Sequence, residues 1–472
     1  MNKQRSIVGK FNTSVIHPMY LFIAGLIMLS SISSAKEIIT VNSLSELKAC
    51  YNKDNVHVKM TPGTYRFDLT NCGAGKLFSD PTLVLLTGSN CTFDFTGVTF
   101  EFDTKISRAY GKVEVIEFQV VGKKSVYLNL TMEDIGEVVP TKSILCCSLD
   151  GEDNRIEGFH ATLRGSSPYG YSDMFGKGRG AMVGLHKHGA CQFRGKRNHL
   201  KDCSFILRSW GHGIFIQGAE DALVEGCYVE GEMRTTDEVL AEKGSGSIAD
   251  KLNFITQDGI KVPPGWKFSC QEDGIRAYAN GIEYGTGNKP VTKNVRVINC
   301  TVKNMRSGIV IGHASGTKYA EGCTTIGCDT GYSMGSNAKI VNCKGDALYG
   351  PLYVDEYQRD CDVVGNFEVM YMDKDSIYGN DVIAYIAGNG NIDLTFTGGQ
   401  DNPPAMRILV SGIRTGMRFM IPKVKYNDLS SRNIKVNNQT NYPLILAPKS
   451  SACTVTSVGQ VTDLGTDNIV NQ

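Results

Sequence analysis

Apolar residues recur along this chain in short alternating runs, broken by glycine or a small polar residue at nearly regular distances. Five segments share one pattern: Leu200-Lys201-Asp202-Cys203-Ser204-Phe205, Val224-Glu225-Gly226-Cys227-Tyr228-Val229, Val297-Ile298-Asn299-Cys300-Thr301-Val302, Ala320-Glu321-Gly322-Cys323-Thr324-Thr325 and Ile340-Val341-Asn342-Cys343-Lys344-Gly345. Each sets Asp, Gly or Asn immediately before Cys. The Cys positions are separated by 24, 73, 23 and 20 residues, and 73 is about three repeats of 24. A second series follows glycine with alternating apolar residues: Gly189-Ala190-Cys191, Gly213-Ile214-Phe215-Ile216, Gly274-Ile275-Arg276-Ala277, Gly308-Ile309-Val310-Ile311 and, more weakly, Gly331-Tyr332-Ser333-Met334. Two short strands per turn of about 20–25 residues, repeated, predict a β-solenoid, whose rungs are stable only because they stack.

The pattern also locates the ends and the interruption. Val58-Lys59-Met60-Thr61-Pro62-Gly63-Thr64-Tyr65 resembles the strand-then-Pro-Gly-Thr-Tyr opening of many parallel β-helices, and Leu83 to Phe102 continues it as strand, turn and strand. Around residues 231–270 the repeat breaks. There Thr235 and Glu238 have capping-box spacing, which predicts a short helix, and Pro263-Pro264-Gly265 forces a turn. This stretch reads as a loop excursion from one rung, either a groove wall or a packing flap. Beyond Gly350 the repeat is irregular, but Ile434-Lys435-Val436 and Pro443-Leu444-Ile445-Leu446 still read as strands. The expected fold is all-β: a right-handed parallel β-helix with long excursions, forming a single domain over 36–472.

Composition agrees and adds a compartment. Gly is frequent, at 52, against 14 Pro, which fits many tight turns between short strands. Lys3, Arg5 and Lys10, the apolar run Tyr20 to Leu29 and the small residues Ser33-Ser34-Ala35 predict a signal peptide over 1–35. The run is too short to span a bilayer, and no other stretch is long and apolar enough. The mature chain is therefore expected to be secreted or periplasmic, without a stable membrane span, and monomeric. Without those three basic residues, 46 of the 49 remain against 48 acidic ones, a net charge of −2. Fifteen Cys is an odd number, and their repeat spacing favours a column of stacked buried thiols over a disulfide framework.

Charge is unevenly distributed. Between Gly176 and Ile216 lie Lys177, Arg179, Lys187, Arg194, Lys196, Arg197, Lys201 and Arg208, with Asp202 the one acidic residue, and four of the eight His: His186, His188, His199 and His212. Such a field attracts anions, although a charge run taken alone is more often a solvated basic face. The repeat supports the functional reading. His188 and His212 each precede a Gly and stand 24 residues apart, so they are expected to stack on one edge. Lys187 and Arg208, 21 apart, belong to neighbouring rungs, and Arg208 and Arg306 fall five and six residues after Cys203 and Cys300, a further candidate column. Nucleic acid is disfavoured as a partner, because the mature chain is mildly acidic and carries no recognisable binding module. A straight groove along a solenoid suits a linear acidic polysaccharide. A uronate polymer can be cleaved by β-elimination, which requires neutralisation of the carboxylate, a base for the C5 proton and an acid at the glycosidic oxygen.

His186-Lys187-His188-Gly189, Arg208-Ser209-Trp210-Gly211-His212-Gly213 and Gln271-Glu272-Asp273-Gly274-Ile275-Arg276, set in this frame, resemble the parallel β-helix polysaccharide lyases, alginate-lyase-like members above all. The resemblance implies Lys187 as base and Arg208 as acid, with His188 and His212 assisting. It implies Arg276 or Arg306 as partner of the uronate carboxylates; Tyr278 and Tyr171 add sugar-stacking options, and His186 and Trp210 complete the candidate substrate-binding set. Some members use calcium for neutralisation, for which Glu272 and Asp273 are weak candidates, since neighbours on a strand face opposite ways. Chondroitin or hyaluronan cleavage by the same chemistry stays open. So do a glycoside hydrolase on this scaffold, although no Asp-Asp dipeptide is present, and a non-catalytic protein that binds acidic polysaccharide.

Overall fold

A three-residue strand with alternating burial cannot hide its apolar side chain alone, and in this protein each finds its partner one turn of the coil later. The computed structural model describes residues 36–175, 181–254, 262, 264–283, 285–377, 379–412 and 430–472, and for 356–360 the backbone only. The expected signal peptide, with Lys177 and Arg179, lies outside the described residues.

Three ladders of parallel strands form the faces of the coil. On the first, Cys147 pairs with Cys191, Cys191 with Ile214, Ile214 with Ile275, Ile275 with Ile309 and Ile309 with Tyr332. On the second, Ile156, Leu200, Val224, Val297, Ala320 and Ile340 succeed one another. On the third, Ala161, Phe205, Val229, Val302 and Thr325 do so. The protein is the parallel β-helix its repeat predicts. Its core runs unbroken from Val41 to Val455.

The residue before each repeat Cys has a backbone reason. Asp202, Gly226, Asn299, Gly322 and Asn342 turn the corner between the second and third faces with φ of 49°, 63°, 52°, 61° and 50°, the left-handed region that Gly, Asn and Asp tolerate best. A Cβ on Gly226 would lie 2.1 Å from the Asp202 carboxylate, and one on Gly322 would lie 2.2 Å from the Asn299 amide oxygen. The polar residue therefore folds over its glycine neighbour. Behind these corners the thiols of Cys227, Cys300 and Cys323 lie 3.7, 3.6 and 3.5 Å from the carbonyl oxygens of Leu200, Val224 and Val297, each donating weakly to the preceding rung. All fifteen cysteines are free and buried.

The gap of 73 residues between Cys227 and Cys300 is one rung, not three. Val229 pairs directly with Val302, so everything between is accommodated within a single turn. The excursion contains Met233–Thr235, the helix Thr236–Ala241 with the Thr235–Glu238 capping box formed, and Lys267–Ser269, which pairs antiparallel with the first strand. A second excursion, 164–187, leaves the coil at the same corner two rungs earlier. The two pack together through a separate apolar cluster that includes Phe175, Trp210, Val239, Leu252 and Phe268. Further on, Tyr353–Val369 and Val382–Gly398 pair in parallel across a coil corner with shifts of register, and Ser431–Asn438 and Leu444–Leu446 continue the ladders.

Candidate active site

Both excursions return to the first face at its N-terminal edge. They deliver Lys187 directly before the strand His188–Phe193 and Glu272 directly before Asp273–Ala277. Between these rungs His212 precedes Ile214–Ile216, and Arg306 precedes Ser307–Val310 on the next. A polar column thus forms where irregular loop becomes strand.

Glu272 is its centre. The Lys187 ammonium donates to Glu272 Oε2 at 2.5 Å, His212 Nε2 lies 3.3 Å from the same oxygen, and Arg306 Nη1 is 3.8 Å from Oε1. Asp273 is clamped below. Arg306 meets it through Nε at 3.2 Å and Nη2 at 2.9 Å, and Arg276 donates to it as well. Arg306 also reaches Asp173 of the first excursion at 3.2 Å. Burial alone would raise the Asp273 carboxyl, but Arg306, Arg276 and His212 outweigh it and hold the group well below the usual range. Glu272 and Asp273 do not face opposite ways as strand neighbours would: Glu272 precedes the strand, and both approach Arg306.

His212 has a defined tautomer. Its Nδ1 accepts the Asp273 backbone N–H at 3.2 Å, which leaves the proton of the neutral ring on Nε2, 2.5 Å from the Tyr278 hydroxyl. Burial pushes this histidine down to about 3, against the pull of Glu272 and Asp273. Burial also raises the Tyr278 phenol, with Arg276 opposing. The Arg276 guanidinium lies over the Tyr278 ring, 4.6 Å from its centroid. Tyr278 is thus a neutral phenol in the cavity wall that can accept from His212 and keeps its own proton to donate.

Lys187, His212, Glu272 and Tyr278 share a cavity of about 260 Å³, completed on one side by Gln192, Phe215 and Arg194. Arg194 pairs with Asp150 at 3.1 Å, and its buried Nε has no hydrogen-bond partner. The cationic field of the sequence is largely answered from neighbouring rungs: Arg197 binds Asp153, Lys196 approaches Glu220 and Lys201 approaches Glu157.

Several expected site residues lie elsewhere. Arg208 binds Glu232 at 2.8 Å and lines a different cavity of about 560 Å³ with Tyr169, Arg234 and Lys267, sharing no lining residue with Lys187. His188 and His212 do not stack. Cys191 pairs with Ile214, a spacing of 23 and not 24, and this one-residue difference sends the two rings to opposite faces. His188 points into the coil, fully buried beside Glu117 and Asp134. Burial would lower it, but those carboxylates outweigh burial and lift it to about 9. Arg208 and Arg306 are also out of step, because Phe205, Val229 and Val302 are successive partners and set Arg208 opposite Met305. Arg306 is buried under the site, so it positions carboxylates and does not reach substrate. Trp210 is completely buried against Phe175 in the excursion cluster, 5.1 Å between ring centroids, and offers no surface to a sugar. Tyr171 is buried there too, donating to Glu242 at 2.5 Å. His186 holds the base of the first excursion by pairing its backbone with Ser167, at 2.6 and 2.8 Å.

Calcium does not fit at Glu272 and Asp273. It takes about six to eight oxygen ligands, whereas these carboxylates already face a lysine, a histidine and two arginines. No local pattern points to Asp173, which meets Arg306 across 133 residues, or to Arg194 as a lining residue, since it reads as one cation among eight.

Neither a protein-family model nor a curated protein sequence matches the chain. Among solved structures it is similar to an alginate lyase of polysaccharide lyase family 6 in complex with a trisaccharide, at 12% identity and a TM-score of 0.51 over 91% of this chain and 87% of that one. A mannuronic-acid-specific family 6 lyase from human gut microbiota aligns at 10% identity and a TM-score of 0.46, over 92% and 83% of the two chains. The catalytic domain of a family 87 α-1,3-glucanase in complex with tetrasaccharides aligns at 11% and 0.44, over 93% and 66%. At 12% identity the property shared with the first of these is the fold. Among the described residues no helix is long and apolar enough to cross a membrane.

Proposed function

We propose that this protein is an exported polysaccharide lyase that cleaves an alginate-like uronate polymer by β-elimination. The observation that carries the reading is the convergence of Lys187 and His212 on the buried carboxylate of Glu272, with Tyr278 hydrogen-bonded to His212, at the edge of one cavity. Lys187 keeps the part of base. A lysinium must lose its proton before it can take another, and Glu272 at 2.5 Å is an acceptor within reach. Arg194 faces the same cavity and is placed to neutralise the sugar carboxylate as negative charge develops on it. Tyr278, fed by the His212 Nε2–H, gives its proton to the glycosidic oxygen. In the step Lys187 takes the C5 proton, that electron pair forms the C4–C5 double bond, and the C4–O bond breaks toward the proton of Tyr278. In this assignment Tyr278 replaces Arg208, which is held by Glu232 in the other cavity.

Hydrolysis is the second reading, because Glu114 and Glu272 both line the cavity and glycosidases work with a carboxylate pair. The lysine on Glu272 speaks for elimination. The test is incubation with alginate, chondroitin sulfate, hyaluronan and polygalacturonate while following the ultraviolet band of the 4,5-unsaturated uronate. A rise on alginate, abolished in Lys187→Ala, is the expected result. A rise on another polymer corrects the substrate. Reducing ends without the band overturn elimination in favour of hydrolysis, and absence of both overturns the enzymatic reading in favour of binding.

A further inference from the structure

Inside the coil, beneath the start of the strand that follows Lys187, three ionisable side chains meet where apolar packing is expected. Glu117, Asp134 and His188 are each buried, and one potential ligand atom from each lies within 4.8 Å of the others. They come from different turns. Glu117 and His188 flank the strand Ile144–Leu149, which pairs with both of theirs, and Asp134 arrives at the end of the third face. The register places Glu117, Cys146 and Ala190 in one column, and the small Ala190 leaves room beside the imidazole.

The imidazole is held as a metal ligand would be. Its Nδ1 donates its proton to the Arg164 carbonyl oxygen at 2.8 Å, while Asp134 Oδ2, 3.1 Å from that nitrogen, accepts the Arg164 backbone N–H at 2.6 Å. Ligating histidines are commonly oriented by this kind of contact on the second nitrogen. The other nitrogen, Nε2, is buried and has no hydrogen-bond partner. It faces Glu117 Oε1 at 3.7 Å, too long for a hydrogen bond. Two donors that share a tetrahedral ion at about 2.0–2.2 Å stand roughly 3.5 Å apart, close to this gap. A divalent ion would displace the proton that these carboxylates otherwise hold on the ring; two carboxylates with the imidazole then neutral carry the charge that the ion cancels, and nitrogen with carboxylate oxygen suits zinc or its first-row neighbours.

We infer that Glu117, Asp134 and His188 form a structural site for a divalent transition metal, zinc in first place, which ties three turns of the coil together under the groove. Lys187 is the residue before His188, so the ion also fixes the backbone that presents the groove lysine. The site is separate from the groove, and its occupancy does not depend on the proposed reaction.

The experiment is metal analysis of the purified protein after zinc loading and extensive dialysis, with cobalt(II) substitution read in the visible ligand-field bands. Roughly one equivalent per chain is expected, with cobalt bands of tetrahedral intensity, and both lost in Glu117→Gln and His188→Gln. Absence of retained metal overturns the inference, and so does metal that both variants keep. If the variants do not fold, zinc-edge X-ray absorption of the wild-type protein decides: a shell of nitrogen and oxygen supports the site, and a shell of sulfur, which would point to the cysteine column, overturns it. Histidine-selective nitrogen NMR gives an independent refutation if His188 is a full imidazolium in the zinc-loaded protein.

Discussion

Arg306→Met tests the electrostatic foundation of the site. Arg306 is 1% exposed and contacts Asp273 twice, Asp173 once and Glu272 at longer range. Methionine fills a similar volume without charge. Removing one partner of a buried ion pair costs about 3–5 kcal/mol, because the remaining charge has lost its compensation. Arg276 still contacts Asp273, which places the expectation toward the lower end, about 3 kcal/mol. The pH dependence has a fixed sign. The Asp273 carboxyl lies well below its usual value in the folded state, chiefly through Arg306 among its partners. Its contribution to stability is therefore complete above the unfolded value of about 3.9 and is lost as pH falls through the folded one. In the variant the folded value rises, so protonation relieves the variant first and the stability gap narrows with acidification. The assay is equilibrium denaturation in guanidinium chloride at several pH values. Far-ultraviolet circular dichroism reports on the coil, and fluorescence of the only two tryptophans, Trp210 and Trp266, reports on the excursion. A loss below about 1 kcal/mol at neutral pH, or a gap that widens with acid, would refute the reasoning. Adding Asp273→Asn to Arg306→Met is expected to recover part of the loss, since the two sites couple directly.

Three further outcomes are expected. Tyr278→Phe keeps the ring stacked under Arg276 but removes the acid, so kcat on the responding polymer should fall by about 10²–10⁴ with KM little changed; an equal rise in KM would mean that Tyr278 only binds. His212 ionises at about 3 in the folded protein and at about 6.5 unfolded. The unfolded chain therefore binds the proton first, and stability drops as pH falls from about 6.5 toward 3; His212→Gln should flatten that part of a stability-against-pH curve. Gly226→Ala sets a Cβ 2.1 Å from the Asp202 carboxylate at a φ of +63° and should cost on the order of 1–2 kcal/mol in denaturation, less when Asp202→Gly removes the obstructing side chain.

The coil was legible because its physics repeats. One turn demands an inward apolar residue on each face and a left-handed corner between two of them, and the chain answers in one-letter terms with Asp, Gly or Asn before each Cys. Asp202, Gly226, Asn299, Gly322 and Asn342 carry the same backbone angle, so the pattern was a direct record of geometry. The capping box at Thr235 and Glu238 was legible for the same reason: it is local, and its two hydrogen bonds close within four residues. The repeat failed where residues were counted without knowing what the corners absorb. The stretch from Cys227 to Cys300 looks like three turns by length and is one by pairing.

The site was legible only in part, because its parts meet where the repeat is broken. Lys187, His212 and Glu272 all stand just before a strand of the first face, each at the end of a loop of different length. A period inferred from Cys spacing does not fix which way a side chain points there. An error of one residue between His188 and His212 was enough to move one ring out of the groove and into the coil. Contacts such as Arg306 to Asp173 join an excursion to the coil over 133 residues, and no local pattern announces them. The same breakage gives the groove its chemistry. A regular rung offers alternating side chains and fully paired backbone, with no place for a carboxylate that takes a lysine, a histidine and an arginine at once. The two excursions leave at one corner and return at Lys187 and Glu272, so they set the acceptor against the base. The apolar cluster of Phe175, Trp210, Val239, Leu252 and Phe268 keeps the loops together while they do so. On this argument the buried excursion cluster, although it cannot touch a sugar, controls the distance on which proton transfer depends.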